Sequence, residues 1–364
     1  LSKRLLDLAL DIQQIPAPTF AEGPRAEFVR GQFQKEGLSD VSVDERGNVY
    51  ARLPGNGDRA PLVMSAHLDT VFPADTDLRI TRTPNRVAAP GIGDNSLGVA
   101  SLPALVWSLR EGRISLPGDL WLVADVCEEG LGDLRGMRAV VERFGRDVTA
   151  YIIIEGMAYG HIYHRALAVE RYLVRFETPG GHSWNDAGVP SAVHELASLV
   201  AALAGIPLAA KPRTVLNVGR FTGGTSVNTI AAEASIEVDL RSEDPAALVD
   251  LAARLQRMAA LYRRDGVTVD VERIGQRPGG EIPADHPLVR LAAESLRLQG
   301  VQPSLIIGST DANIPLSQGI PSIGLGLTTG GGGHTLDEYI ETGLIQQGLD
   351  HLTEVVTKVW DMQK

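Results

Sequence analysis

Three short apolar runs, each closed by a carboxylate or a histidine and separated by helical periodicity, constrain this chain more than any other feature. Pro61-Leu-Val-Met-Ser-Ala66 runs into His67, Asp119-Leu-Trp-Leu-Val-Ala-Asp-Val-Cys127 into Glu128 and Glu129, and Ala150-Tyr-Ile-Ile-Ile154 into Glu155. A continuous rather than alternating apolar strand is one buried on both faces. Helical stripes at Leu97 to Arg110 and Arg135 to Phe144 supply the covering layers. The reading is an open α/β sheet whose carboxyl edge collects the polar residues.

From about Ala166 the texture changes to alternating strands around two helices. The strands are Leu167 to Phe176, Thr214 to Phe221, Ala234 to Arg241 and Val267 to Arg273, and the helices Ser191 to Ala204 and Pro245 to Arg264. This β-α-β-β-α-β order predicts a separate α+β insert, ferredoxin-like in its connections, with an antiparallel sheet. Near Gly280 the first pattern resumes, with a helix from His286 to Gln299, strands at Pro303 to Ile307 and Pro321 to Leu327, and a last helix from Leu344 to Met362. The 364 residues exceed what one core usually organises. The expected division is residues 1–165 and 276–364 for the open mixed-sheet domain, and 166–275 for the insert.

Charge narrows the partners. The net charge is −11 with no basic run, so nucleic acid and anionic membrane surfaces are poor electrostatic partners. No apolar stretch reaches the roughly 18 residues that span a bilayer, and the start of the chain reads as an amphipathic helix with Leu5, Leu8, Ala9 and Ile12 on one stripe. A cytoplasmic location is the expectation. The single cysteine, Cys127, excludes an intrachain disulfide. Its apolar setting reads as a small buried residue rather than a nucleophile.

The polar residues at the strand ends have the chemistry of a metal site. His67, Asp94, Glu129, Glu155 and His334 offer imidazole nitrogen and carboxylate oxygen, donors that zinc accepts, and two metals sharing one carboxylate need about five such ligands. Strand alternation puts Asp69 on the side of His67, where its carboxylate can accept the second imidazole N–H. Asp94 stands in the glycine-flanked turn Pro90-Gly-Ile-Gly-Asp-Asn-Ser-Leu-Gly98 and is the natural bridge. At Glu128-Glu129 neighbouring carboxylates point in different directions, so that one can bind metal while the other stays free as a general base. Thr329-Gly-Gly-Gly-Gly-His334 carries a histidine on a segment slim enough to approach a crowded centre. Zinc, cobalt and manganese all suit such a donor set.

In order along the chain, SAHLDTV (65–71), GIGDNSLG (91–98), EEG (128–130), IIIEG (152–156), PGGHSW (179–184) and GGGGHTLDEYI (330–340) resemble the motifs of the co-catalytic zinc exopeptidases and deacylases, which include carboxypeptidase G, peptidase T, acetylornithine deacetylase and succinyl-diaminopimelate desuccinylase. The resemblance runs through the whole chain. It implies two zinc ions per subunit, one on His67 and Glu155 and one on Glu129 and His334, bridged by Asp94 with a cis peptide to Asn95. It further implies that Asp69 orients His67 and that Glu128 carries the proton from water to the leaving amine. The insert becomes a lid and homodimer interface, with His182 stabilising the oxyanion, often from the partner subunit. Asn228 and Arg241 match positions that hold the carboxylate end of the substrate, and Thr310 falls in the substrate-side loop Gly308-Ser-Thr-Asp-Ala-Asn313. The chain departs from the family's Gly-x-x-x-His-Ala-Gly at the lid, where Trp184 and Asn185 follow His182-Ser183. Glutamate at 155 points to the carboxypeptidase and deacylase members, whereas Thr310-Asp-Ala-Asn313 and the glycine run point to peptidase T.

The expected function is cleavage of a terminal amide bond in short peptides or N-acyl amino acids by metal-activated water. Hydrolysis of N-acyl or N-carbamoyl amino acids is the alternative within enzymes. A non-catalytic, zinc-stabilised binding protein is the alternative outside them, and the retention of ligands, orienting acid and base together argues against it.

Overall fold

In the computed structural model, which describes residues 1–363, the three apolar runs are neighbouring parallel strands: Arg59–His67 lies between Gly118–Asp125 and Ala150–Ile154. On one side the sheet continues through Val49–Leu53 to Ser39–Val43, both antiparallel. On the other it continues through Ser322–Leu325 to His161–Ala166, which also pairs with Ser304–Gly308 and Gly280–Glu281. The sheet is therefore mixed, with its parallel strands at the centre. Residues from Leu62 to His67 are all buried, as a strand covered on both faces requires.

The helix Leu97–Glu111 contacts the strand Arg59–His67 and also the helices Ser2–Gln13 and Ile345–Lys358. That sandwiching explains why it is apolar nearly all round, with Leu97, Val99, Leu102, Leu105, Val106 and Leu109 buried together. Helices Gly23–Lys35 and Arg135–Phe144 contact other strands of the same sheet. A small second sheet, ordered Gly330–Gly331, Tyr339–Glu341, Arg86–Ala88, Thr81–Arg82, ties the segment around His334 to the segment just before Asp94. Among the described residues, no helix is long and apolar enough to cross a membrane.

Two units emerge from the chain's internal contacts: Leu1–Ala166 with the chain from Gly280 onward, and Leu167–Gly279. The second unit is an antiparallel sheet ordered Thr214–Gly223, Glu233–Ser242, Ala168–Glu177, Thr268–Arg277. Its helices Ala192–Ala204 and Pro245–Ala260 close a core with Val174, Phe176, Ile236, Val238 and Leu240. The second helix ends at Ala260, short of the Arg264 that its periodicity predicts. Thr214–Gly223 is an edge strand, exposed over its last residues.

Candidate metal centre

Each of the three parallel strands delivers a polar residue at its carboxyl end, and two loops add the others. The imidazole Nε2 of His67 lies 3.0 Å from Asp94 Oδ1 and 3.9 Å from Glu155 Oε2. The imidazole Nε2 of His334 lies 3.1 Å from Asp94 Oδ2 and 3.1 Å from Glu129 Oε1. The two oxygens of Asp94 thus face different histidines. Ligand atoms of His67, Asp94 and Glu155 fall within 4.8 Å of one another, as do those of Asp94, Glu129 and His334.

These donors fit divalent cations by charge as well as by distance. Burial pushes the Glu155 carboxyl well above its ordinary range, with Asp94, Glu128 and Glu129 adding to the rise against His67. Hydrogen bonds to Asp94 and Glu129 hold His334 protonated up to about 10. Burial disfavours charge on His67, yet Asp69 and Asp94 outweigh it and raise its pKa well above 6.5. Carboxylates crowded this closely must be balanced by protons or by metal ions.

Glu128 and Glu129 are both buried, and Glu128 also comes within 4.8 Å of His67 and Glu129 as a potential ligand. This differs from the opposed directions that strand alternation predicts. The strand ends at Asp125, and Cys127 turns the backbone at a φ of 60°. Alternation therefore stops before the pair, and both side chains reach the centre. Cys127 is buried, its Sγ 3.5 Å from Glu22 Oε1, and burial pushes the thiol up to about 12, which suits an inert core residue.

Asp69 faces His67 and also holds the neighbouring strand end. The Nδ1 of His67 is 3.0 Å from the backbone carbonyl of Asp69 and 3.6 Å from its carboxylate. The carboxylate also accepts the backbone N–H of Glu128 at 3.0 Å, that of Glu129 at 2.9 Å, and the Thr19 hydroxyl at 2.9 Å. Arg25, fully buried, donates to the carbonyls of Leu68 and Ile15 and stabilises the charges on Asp69 and Glu22. Glu22 accepts the N–H of Cys127. A lone arginine, threonine or glutamate near a helix start carries no sequence signal for this support.

The loop bearing Asp94 is held from two sides. Glu338 accepts N–H groups of Gly91, Gly93 and Asp94 at 3.0, 2.7 and 2.9 Å. Burial pushes its carboxyl up to about 7 against these bonds. Asn95, joined to Asp94 by a cis peptide, donates to the Ile154 carbonyl and accepts from the N–H of Gly156, clamping the loop to the strand end that carries Glu155. Gly98 makes room for this amide, since a Cβ there would sit 2.0 Å from Asn95 Oδ1. Met157 fills the space beside Gly93 and Gly330, so one thioether supports both metal-competent loops.

Thr310 is buried, and its hydroxyl accepts the N–H of Ala312 in a local turn. Beside it Asp311 meets Asp125, both fully buried. Burial pushes Asp311 well above the carboxylate range, with Asp125 and Glu128 adding to it, and raises Asp125 as well. Among the described residues neither carboxylate meets an N–H donor. Such a pair holds a proton between its members. Sequence reading passed over it, because two acids so far apart in the chain show no pairing signal.

In the second unit, His182 is exposed and opposite Thr229 on a short strand pair, and Ser183 N–H donates to the Asn228 carbonyl. His182 and Asn228 are therefore neighbours. Arg241, whose Nε is 2.6 Å from Asp239, lies near the far end of Glu233–Ser242. Eight residues of strand put it roughly 26 Å from the end nearest His182.

Fold and site together define a hydrolase that acts on amide bonds. The model of peptidase family M20/M25/M40 matches residues 63–358, and the chain belongs to that family. It is 24% identical over 341 residues to the YqjE protein of Bacillus subtilis (strain 168), covering 89% of this chain and 90% of that one. Its fold is similar to the crystal structure of a tripeptidase from Staphylococcus aureus, with a TM-score of 0.81, 22% identity and coverage of 100% and 99%. It is also similar to that of the aminopeptidase PepT from Bacillus cereus, with a TM-score of 0.79, 22% identity and 99% coverage of both chains.

Proposed function

We propose that the protein is a dizinc exopeptidase that removes one terminal residue at a time from short peptides, using His67 and Glu155 for one ion, Glu129 and His334 for the other, and Asp94 as the bridge. The observation that carries this reading is the pair of contacts from the two Asp94 oxygens to different histidines, 3.0 and 3.1 Å. When bound, the two ions supply Lewis-acid polarisation of the scissile carbonyl and a water acidified towards neutral pH.

The chain's own residues do the rest. Glu128, buried beside the ligands, accepts a proton from the attacking water and delivers it to the leaving nitrogen. Asp69 holds the backbone of Glu128 and Glu129 in place. His182 is assigned to the developing oxyanion, and Asn228 and Arg241 to the carboxylate end of the substrate. The separation of Asn228 from Arg241 means that one chain cannot close both on the same carboxylate. A homodimer through the edge strand Thr214–Gly223 would supply one from each copy.

The test is an assay of the zinc-loaded protein on matched short peptides blocked at the amine or at the carboxylate, beside N-acetyl, N-succinyl and N-carbamoyl amino acids. Cleavage that needs a free terminus supports an exopeptidase, and which terminus fixes the direction. Cleavage of the N-acyl or N-carbamoyl amino acids alone would replace the peptidase reading by a deacylase or carbamoylase.

A further inference from the structure

Beside the metal-competent cluster, and within the first unit, is a cavity of about 240 Å³ lined by Asp94 and Glu155 together with Met157, Ala158, Tyr163 and Ile306. Its volume is below the roughly 300 Å³ at which pockets begin to hold whole drug-sized ligands, so it suits a single side chain. Its apolar wall is built in. The Tyr163 ring lies flat against the chain, because a Cβ at Gly308 would fall 2.4 Å from Tyr163 Cε1 and one at Gly324 would fall 3.0 Å from Tyr163 Cδ2. Met157 is held in the same way by Gly93, where a Cβ would lie 2.3 Å from its Cγ. Two glycines and an aromatic ring make a fixed wall, while the flexible thioether of Met157 leaves the shape adaptable.

We propose that this cavity is a specificity pocket that receives one apolar side chain, of about leucine size, from the substrate residue beside Asp94 and Glu155. This rests on the amide-hydrolase reading of the adjacent cluster and names the substrate class that the cluster would process. Acidic side chains are disfavoured, since two carboxylates line the cavity; His161, exposed, is the one basic group lining it. Among the described residues no hydrogen-bond partner meets the Tyr163 hydroxyl, and burial, with Glu155 and Asp94, keeps the phenol protonated up to about 12. It is a donor available to the substrate's polar backbone.

The experiment compares kcat/KM for Gly-Gly, Leu-Gly, Gly-Leu, Phe-Gly and Gly-Phe in the wild-type zinc-loaded protein, Ile306→Trp and Ile306→Ala. In one of the two series the wild type prefers leucine to glycine, and Ile306→Trp, which fills the cavity, lowers that ratio at least about tenfold. Ile306→Ala, which widens it, raises the phenylalanine-to-leucine ratio in the same series. Unchanged ratios in both variants overturn the proposal. Titration calorimetry of leucine hydroxamate against glycine hydroxamate gives a second readout. If the wild type hydrolyses neither these dipeptides nor the matched short peptides above, the peptidase reading falls while calorimetry still decides the pocket. Tighter leucine binding that Ile306→Trp abolishes supports it, and equal affinities overturn it.

Discussion

The carboxylate of Asp69 accepts the backbone N–H of Glu128 at 3.0 Å. Through this bond, and its twin to Glu129 at 2.9 Å, a residue two positions beyond one metal-competent histidine fixes two buried carboxylate residues that arrive from the neighbouring strand.

Replacing Asp69 should therefore misplace Glu128 and Glu129 as well as disturb His67. Asp69→Asn turns one acceptor oxygen into a donor that faces an N–H. We expect turnover to fall roughly 10- to 100-fold, the usual cost of disturbing the groups that orient metal ligands. Steady-state kinetics beside metal analysis would check this, and wild-type turnover would show that the two N–H bonds do not position the reacting groups.

Glu128→Gln keeps the shape of the side chain but not its proton affinity. Metal content should stay at two per chain while kcat falls by about 10²- to 10⁴-fold. Loss of metal in this variant would instead make Glu128 a ligand, a role its distance from His67 and Glu129 permits.

Metal binding should release protons. His334 keeps its proton up to about 10 when it faces only carboxylates, and an ion must displace that proton to bind the nitrogen. Raising pH from 6 towards 10 should therefore tighten zinc binding, by about tenfold per unit for each proton displaced. Calorimetry in buffers of different ionisation enthalpy counts the protons. A pH-independent affinity would contradict the assignment of His334 as a ligand.

Glu338 gives a stability prediction with a definite sign. Its carboxyl is raised from 4.5 to about 7 in the fold, so the native state holds a proton that the unfolded chain has lost between those values. Its contribution is present below about 4.5 and declines as pH rises to 7. Glu338→Gln, which cannot ionise, removes that dependence. Between pH 5 and 7 the metal-free wild type should lose on the order of 2 kcal/mol relative to the variant. Urea unfolding at the two pH values tests this, and parallel behaviour would mean that Glu338 is ionised throughout.

The α/β class, the run of strands and the identity of the metal-competent residues were legible in the sequence because they depend on local pattern. Short continuous apolar runs such as Leu62 to Ala66 fit strands buried on both faces, which this one is, and a polar residue after such a run falls at a sheet edge. Direction and partnership were not legible. Alternation failed at Glu128 and Glu129 because the chain turns at Cys127, a backbone conformation that the residue type does not announce. Glu22, Arg25, Glu338 and the Asp125–Asp311 pair act across long stretches of chain. Their roles come from which loops the tertiary fold brings together and from how little water it leaves there. Sequence chose the donor atoms, whose chemistry belongs to each residue alone; tertiary structure decided their spacing, their protonation and the support that holds them, because these depend on neighbours and burial.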